Sequence, residues 1–431
     1  MQMLGVSSAA DEAAAAPSTG SAPAARSSWA QRAGTGAGSE PGPASPTAAA
    51  TAAWPAPGQS QEDAELEAAI QASLAEAAAA AEGARRPGSS SVALAANAAP
   101  TAAAAAADDS LGLAGLRNEA GEYNCFLNVI IQCLWRCADF RQQVAGWDAA
   151  FCGADPVVGC LHALFQQFQR QEQQLQSEAA HGGAAPLVDP TPLREALAAL
   201  PGRQFRMGEM NDAAEVLLSI YERVMEAASQ MGLPAGIKPT FGLSVREEVH
   251  CSHCGKDTHQ TSYTQYFYNT QATVLHMLRG AYGDGLSTGQ LLREAEVQHH
   301  KSCDEDLAGC GRPCPVNSFL LRAPRVFTLQ LAWESHSEHP GDIAATLAAI
   351  DEEVDLGEVY QGAKPGAHRY RLRSMVCYYG QHYQALVLVP EAGGWLMFDD
   401  TRVARVGGWE AVRRKCEAGR IQPSVLFYEA A

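Results

Sequence analysis

Three residues suited to nucleophilic acyl chemistry stand far apart in this chain: Cys125, His382 and Asp399. Cys125 precedes Phe126, Leu127, Ile130, Ile131, Leu134 and Trp135, an apolar face at helical spacing, so it is expected at a helix N-terminus. There the unpaired N–H groups and the dipole stabilise a thiolate. Five cysteines fall in the first half of the chain, and a buried cysteine is often only a small hydrophobe. Cys125 is singled out by a partner near the other end. In YYGQHYQALVLVPEAGGWLMFDD, residues 378–400, His382 opens a predicted strand and Phe398-Asp399-Asp400 closes a second. A hairpin centred on residues 390–393 places Asp399 nearly opposite His382 on the same face. The carboxylate then accepts a hydrogen bond from the imidazole and fixes its orientation, completing a nucleophile–base–orienter set.

A second constellation lies between these. Cys251-Ser-His-Cys254 is a C-x₂-C knuckle, and Cys303, Cys310 and Cys314 follow about fifty residues on. Such pairs suit a structural, tetrahedral zinc closing two strand pairs. The second half is irregular. Cys303 and Cys310 are the expected partners of Cys251 and Cys254, with Cys314 the alternative and His253 and His300 outsiders.

The elements that must position these groups follow from pattern. Helices are predicted within 115–144, around 156–174, at LREALAAL and over 210–228, with a loop at 181–192. Strands are predicted at FGLSVREEVHC, SFLLRAPRVFTLQLAW, RYRLRSMVCYY, HYQALVLV, GWLMFDD and QPSVLFYE. Helices first and strands afterwards indicate an α+β fold. Residues 1–110 are dominated by Ala, Gly, Pro and Ser and are expected to be a disordered arm, leaving 111–431 as one globular body.

The formal charge of −17 argues against nucleic acid as the main partner. There is no apolar run of membrane-spanning length, and the acidic start MQMLGVSSAADEAAAA is unlike a secretory signal. The expected location is the cytosol or nucleus, and the twelve cysteines, all at or beyond residue 125, are expected reduced.

GLRN-EAGEY-NCFLN and GQHYQA resemble the Cys and His boxes of the ubiquitin-specific protease family, papain-like deubiquitinases. MNDAAEVL and SVLFYE resemble its acidic-helix motif and last strand. The insertion in the Cys box and the CYYGQHY string resemble the family's divergent ubiquitin carboxyl-terminal hydrolase-related branch. The resemblance spans about residues 112–430. It implies a helical thumb, a β-rich palm and fingers, with Cys125 as nucleophile, His382 as base and Asp399 as orienter. It implies thiol-dependent hydrolysis after the C-terminal glycine of ubiquitin, and a four-cysteine zinc at the tip of a ubiquitin-cupping sheet. Two positions depart: Ala120 stands where an oxyanion-hole Asn is usual, with Asn118 the nearest Asn before the insertion, and Met210 replaces a Gln. Asn124 or a backbone N–H is the candidate substitute donor. The alternatives are a non-catalytic ubiquitin-binding scaffold and activity on a ubiquitin-like modifier.

Within the arm, residues 61–86 carry strong helix formers, early acids and Arg85-Arg86 at the end. Leu66, Ala69, Ser73 and Glu76 in ELEAAIQASLAE resemble a ubiquitin-interacting motif. Its narrow stripe suits a shallow apolar patch, and a tethered reader of this kind implies a preference for polyubiquitin chains.

Overall fold

In the computed structural model, residues 111–178, 187–202, 205–233, 236–297 and 299–431 are described. The Ala/Gly/Pro/Ser-rich arm expected over residues 1–110, with the segment that resembles a ubiquitin-interacting motif, lies outside the described residues. The helical part comprises α1 (Cys125–Arg136), α2 (Ala138–Ala145), α3 (Ala149–Ala154), α4 (Pro156–Glu178), α5 (Thr191–Ala198) and α6 (Ala213–Gln230). The predicted 115–144 segment thus divides in two, with Cys137 extended between α1 and α2. Every residue from Cys125 to Trp135 is buried, so α1 is a central helix rather than a surface amphipath. Asp212 caps α6 by accepting hydrogen bonds from the N–H groups of Ala214 and Glu215.

The strands are β1 (Leu243–His250), β2 (Asp257–Gln265), β3 (Tyr268–Gln271), β4 (His300–Ser302), β5 (Pro313–Pro315), β6 (Asn317–Arg322), β7 (Val326–Ala332), β8 (Glu353–Asp355), β9 (Arg369–Tyr379), β10 (His382–Val389), β11 (Gly394–Asp399), β12 (Arg402–Gly407) and β13 (Gln422–Ala430). Most form one sheet ordered β12-β11-β10-β9-β13-β7-β3, with β8 pairing β9. A smaller sheet, β2-β1-β6, and the β4-β5 ribbon carry the cysteine knuckle. The expected helix-then-strand α+β architecture is what forms. SFLLRAPRVFTLQLAW is not one strand: Ala323-Pro324-Arg325 separates β6 from β7, which join different sheets, because proline has no N–H for a ladder. Among the described residues no helix is long and apolar enough to cross a membrane.

One face of the main sheet packs on α1. Val376, Ala385, Val387, Phe398 and Val425 share a core with Phe126, Ile130 and Leu134. The opposite face, including Met375, Leu386, Trp395 and Leu426, packs on helices Ala272–Tyr282, Pro340–Ala348 and Trp409–Ala418. None of these three was read from the sequence.

Candidate active site and cysteine knuckle

The sheet brings the two ends of the chain together. A two-residue turn joins β9 to β10, with Gly380 and Gln381 both at positive φ (47° and 68°) and Tyr379 paired with His382. That is the type I′ geometry, whose twist matches the strands it joins. His382 is thereby fixed at the first position of β10, and the Tyr379 ring meets its imidazole edge to face at 5.4 Å. In the β10–β11 ladder Ala385 faces Phe398, so His382 and Asp399 are diagonal neighbours on one face rather than direct partners. The separation suits a side-chain hydrogen bond: His382 Nε2 to Asp399 Oδ1 is 2.6 Å. Cys125 is the first residue of α1, and its sulfur is near enough to the same imidazole to favour the imidazolium. Burial opposes protonation of His382, but the Asp399 carboxylate and the Cys125 sulfur prevail and raise its pKa to about 10.

Asp400 does not face the substrate side as a free acid. It turns back at φ 52°, and its two carboxylate oxygens accept from Asn128 Nδ2 and Asn118 Nδ2, each at 2.7 Å. Burial raises its carboxyl pKa, and the two amides work against that shift. Its backbone carbonyl accepts from the Leu116 N–H at 2.9 Å. Next to it Gly115 lies so close to Thr401 that a Cβ would sit 2.7 Å from the Thr401 carbonyl oxygen. The segment before the candidate nucleophile and the turn after its orienter are therefore one packed unit. Asn128 and Gln132 extend it along α1, Gln132 Nε2 donating to the Ala114 carbonyl at 2.9 Å. The sequence signal for this unit was legible but unread: Asn124, Asn128 and Gln132 recur at four-residue spacing through an otherwise apolar helix.

The altered Cys box has a defined structure. Asn118 Oδ1 accepts the Asn124 N–H at 2.9 Å, so its side chain bridges the insertion to Asp400. Glu122 Oε2 accepts from the Glu119 N–H and from Asn124 Nδ2. Asn124 is fully buried and its Oδ1 has no partner among the described residues. The Leu127 N–H already donates to the Asn124 carbonyl at 3.0 Å, so the N–H groups of Cys125 and Phe126 are the ones that precede the helical ladder, at the Cys125 end where an oxyanion would need donors.

In the smaller sheet, the sulfurs of Cys251, Cys254, Cys303 and Cys310 lie within 4.8 Å of one another. Cys251 and Cys310 are 3.6 Å apart, as are Cys254 and Cys303. A tetrahedral ion with about 2.3 Å metal–sulfur bonds requires sulfurs about 3.8 Å apart, so the set fits. The backbone N–H groups of Cys254 and His253 point at the Cys251 sulfur and lower its pKa, while against the Lys256 N–H the neighbouring sulfurs push that of Cys254 up, as crowded thiols must. The Cys310 N–H likewise donates to the Cys303 sulfur at 3.3 Å. Such N–H groups favour thiolate ligands. Cys314 is buried beside the cluster but outside it, its sulfur against the Arg312 carbonyl. His253 is engaged by Arg312 and His300 lies on β4, so neither joins it.

A thiol at the mouth of a central helix, with an imidazole and carboxylate on the abutting sheet, defines the papain-like class of cysteine-hydrolase folds. The family model described as ubiquitin carboxyl-terminal hydrolase matches residues 114–428, and the chain belongs to that family. It is 28% identical over 334 residues to ubiquitin carboxyl-terminal hydrolase 54 of Mus musculus, covering 73% of this chain and 20% of that protein. To ubiquitin carboxyl-terminal hydrolase 53 of Homo sapiens it is 27% identical over 335 residues, covering 73% and 30%. The chain thus spans between a fifth and a third of these relatives. Among solved structures it is similar in fold to a chain of the SAGA DUB module, the Ubp8/Sgf11/Sus1/Sgf73 assembly, bound to monoubiquitin. There the TM-score is 0.50 at 15% identity, covering 75% of this chain and 70% of that one.

Proposed function

We propose that this chain is a thiol-dependent deubiquitinase cleaving isopeptide or peptide bonds after the C-terminal glycine of ubiquitin. The observation that carries the reading is the Cys125–His382–Asp399 constellation in a chain of this family. Cys125 attacks the glycine carbonyl carbon as thiolate, forming the C–S bond while the carbonyl electron pair moves to oxygen. Collapse expels the amine, which takes its proton from His382. Water, deprotonated by His382, then hydrolyses the thioester. Asp399 holds the imidazole throughout. The N–H groups of Cys125 and Phe126, which precede the helical ladder of α1, receive the oxyanion, since the Asn118 amide is engaged by Asp400. We assign zinc to Cys251, Cys254, Cys303 and Cys310 as a structural ion. The cytosol or nucleus, where these unpaired cysteines stay reduced, is the proposed location.

The test is ubiquitin carrying a C-terminal electrophile, read by intact mass. One adduct is expected on the native chain and none on Cys125→Ala. A folded chain that binds ubiquitin yet forms no adduct would mark it as a ubiquitin-binding scaffold, the reading that Ala120 favours.

For the arm, Leu66, Ala69, Ser73 and Glu76 are proposed to bind a second ubiquitin and so favour chains. Ser73→Ala with Ala69→Arg is expected to raise KM for polyubiquitin about tenfold while leaving a monoubiquitin substrate unchanged. Equal effects on both substrates would rule out this role.

A further inference from the structure

Arg194, on α5, is fully buried, a rare setting for a guanidinium. Its central carbon lies 4.5 Å from the ring centroid of Phe126, the residue that follows Cys125. Nη2 donates to the carbonyls of Arg206 and Glu209, the latter at 2.9 Å. The loop before α6 is therefore tied to the start of the nucleophile helix. Nε and Nη1 are buried and have no hydrogen-bond partner among the described residues. No carboxylate there pairs with the group either, for the Glu209 side chain lies by the Arg206 guanidinium at 3.9 Å. An arginine does not shed its proton, so the charge is present, and among the described residues no carboxylate forms a salt bridge with it. Burial lowers its pKa, and Glu209 and the Cys125 sulfur oppose that shift from nearby. Keeping such a cation is costly unless negative charge arises beside it.

We propose that Arg194 is an electrostatic and positioning residue of the catalytic centre. It pins residues 205–209 against Phe126, and its charge stabilises the negative charge that moves from the Cys125 sulfur to the substrate carbonyl oxygen. This deepens the reading of Cys125 as nucleophile and rests on it. The charge supplies part of the stabilisation that an amide at position 120 would give, in a centre where that position is Ala120.

The test compares alkylation of Cys125 in the full chain by iodoacetate, an anion, and by iodoacetamide, its neutral analogue. The ratio of the two rates cancels the thiolate fraction and reads local charge, and mass spectrometry of the Cys125 peptide excludes the other thiols. Arg194→Met is expected to lower the iodoacetate-to-iodoacetamide ratio about threefold or more, and Arg194→Lys to keep it within about twofold. An unchanged ratio in folded Arg194→Met, or an equal fall in both variants, overturns the proposal. Because Arg194→Met also removes a buried stack, a second measurement leaves Arg194 in place. In His382→Gln, Cys125 is expected to keep a higher ratio than free N-acetylcysteine, and loss of that excess overturns the charge assignment. Neither readout involves ubiquitin, so failure here and failure of deubiquitination are separate results.

Discussion

Replacing His382 with Gln is expected to lower hydrolysis of a ubiquitin–fluorophore amide by about 10³-fold or more, with ubiquitin affinity little changed. The imidazole is hydrogen-bonded to Asp399 and interacts with the Cys125 sulfur, so its loss removes the proton acceptor and donor together. Asp399→Asn should cost less, because an amide oxygen still accepts from Nε2. The pH dependence follows from the same contacts. The folded pKa of His382 is raised from 6.5 to about 10, so the imidazolium and its pairing stabilise the fold fully below about pH 6.5. That contribution is lost as pH rises through about 10, and denaturation midpoints of His382→Gln should lack this alkaline decline. Activity within tenfold of the native chain in this variant would remove His382 from the mechanism.

Stripping the metal from the cysteine knuckle is expected to lower the melting temperature by about 10 °C or more and to weaken ubiquitin binding. The reason is the poverty of the local core. Among the described residues, the buried apolar cluster there is Val249, Cys251, Cys303, Cys314 and Val316, with Cys310 partly buried against it. So few apolar groups supply too little burial to hold the loop between β4 and β5, and a bound ion must supply the rest. Cys254→Ser should act like chelation, whereas Cys314→Ser should retain the metal. Elemental analysis with thermal scans decides: a chain purified without metal that melts as it does after zinc is added would refute the assignment.

The boundaries of β9 and β10 were legible in the sequence because RYRLRSMVCYY alternates Arg with Tyr and Leu before a buried centre, HYQALVLV runs into Ala, Leu and Val, and a Gly-Gln pair separates them. β2 was not, because DTHQTSYTQ is an exposed edge with no apolar alternation. The helices Ala272–Tyr282 and Thr288–Val297 escaped for a related reason: short, mixed segments gain their helicity from packing under the sheet rather than from their own period. At the site, residue types and order picked out Cys125, His382 and Asp399 as the candidate nucleophile, base and orienter. The diagonal His382–Asp399 register and the Asn118–Asp400–Asn128 lock depend on pairing between strands and across more than 250 residues, which no local pattern encodes. Arg194 escaped because an arginine between two leucine turns reads as a solvent-facing helix residue.

The last strand in the chain, β13, lies not at an edge but between β9 and β7, in the middle of the main sheet. During synthesis the thiol emerges first, its imidazole some 250 residues later, and the strand that seals both halves of the sheet last of all. Contacts this distant in sequence make folding slow, and they also make it all-or-none. A nascent chain therefore carries Cys125 apart from His382, and the candidate site is framed only once β13 has been added.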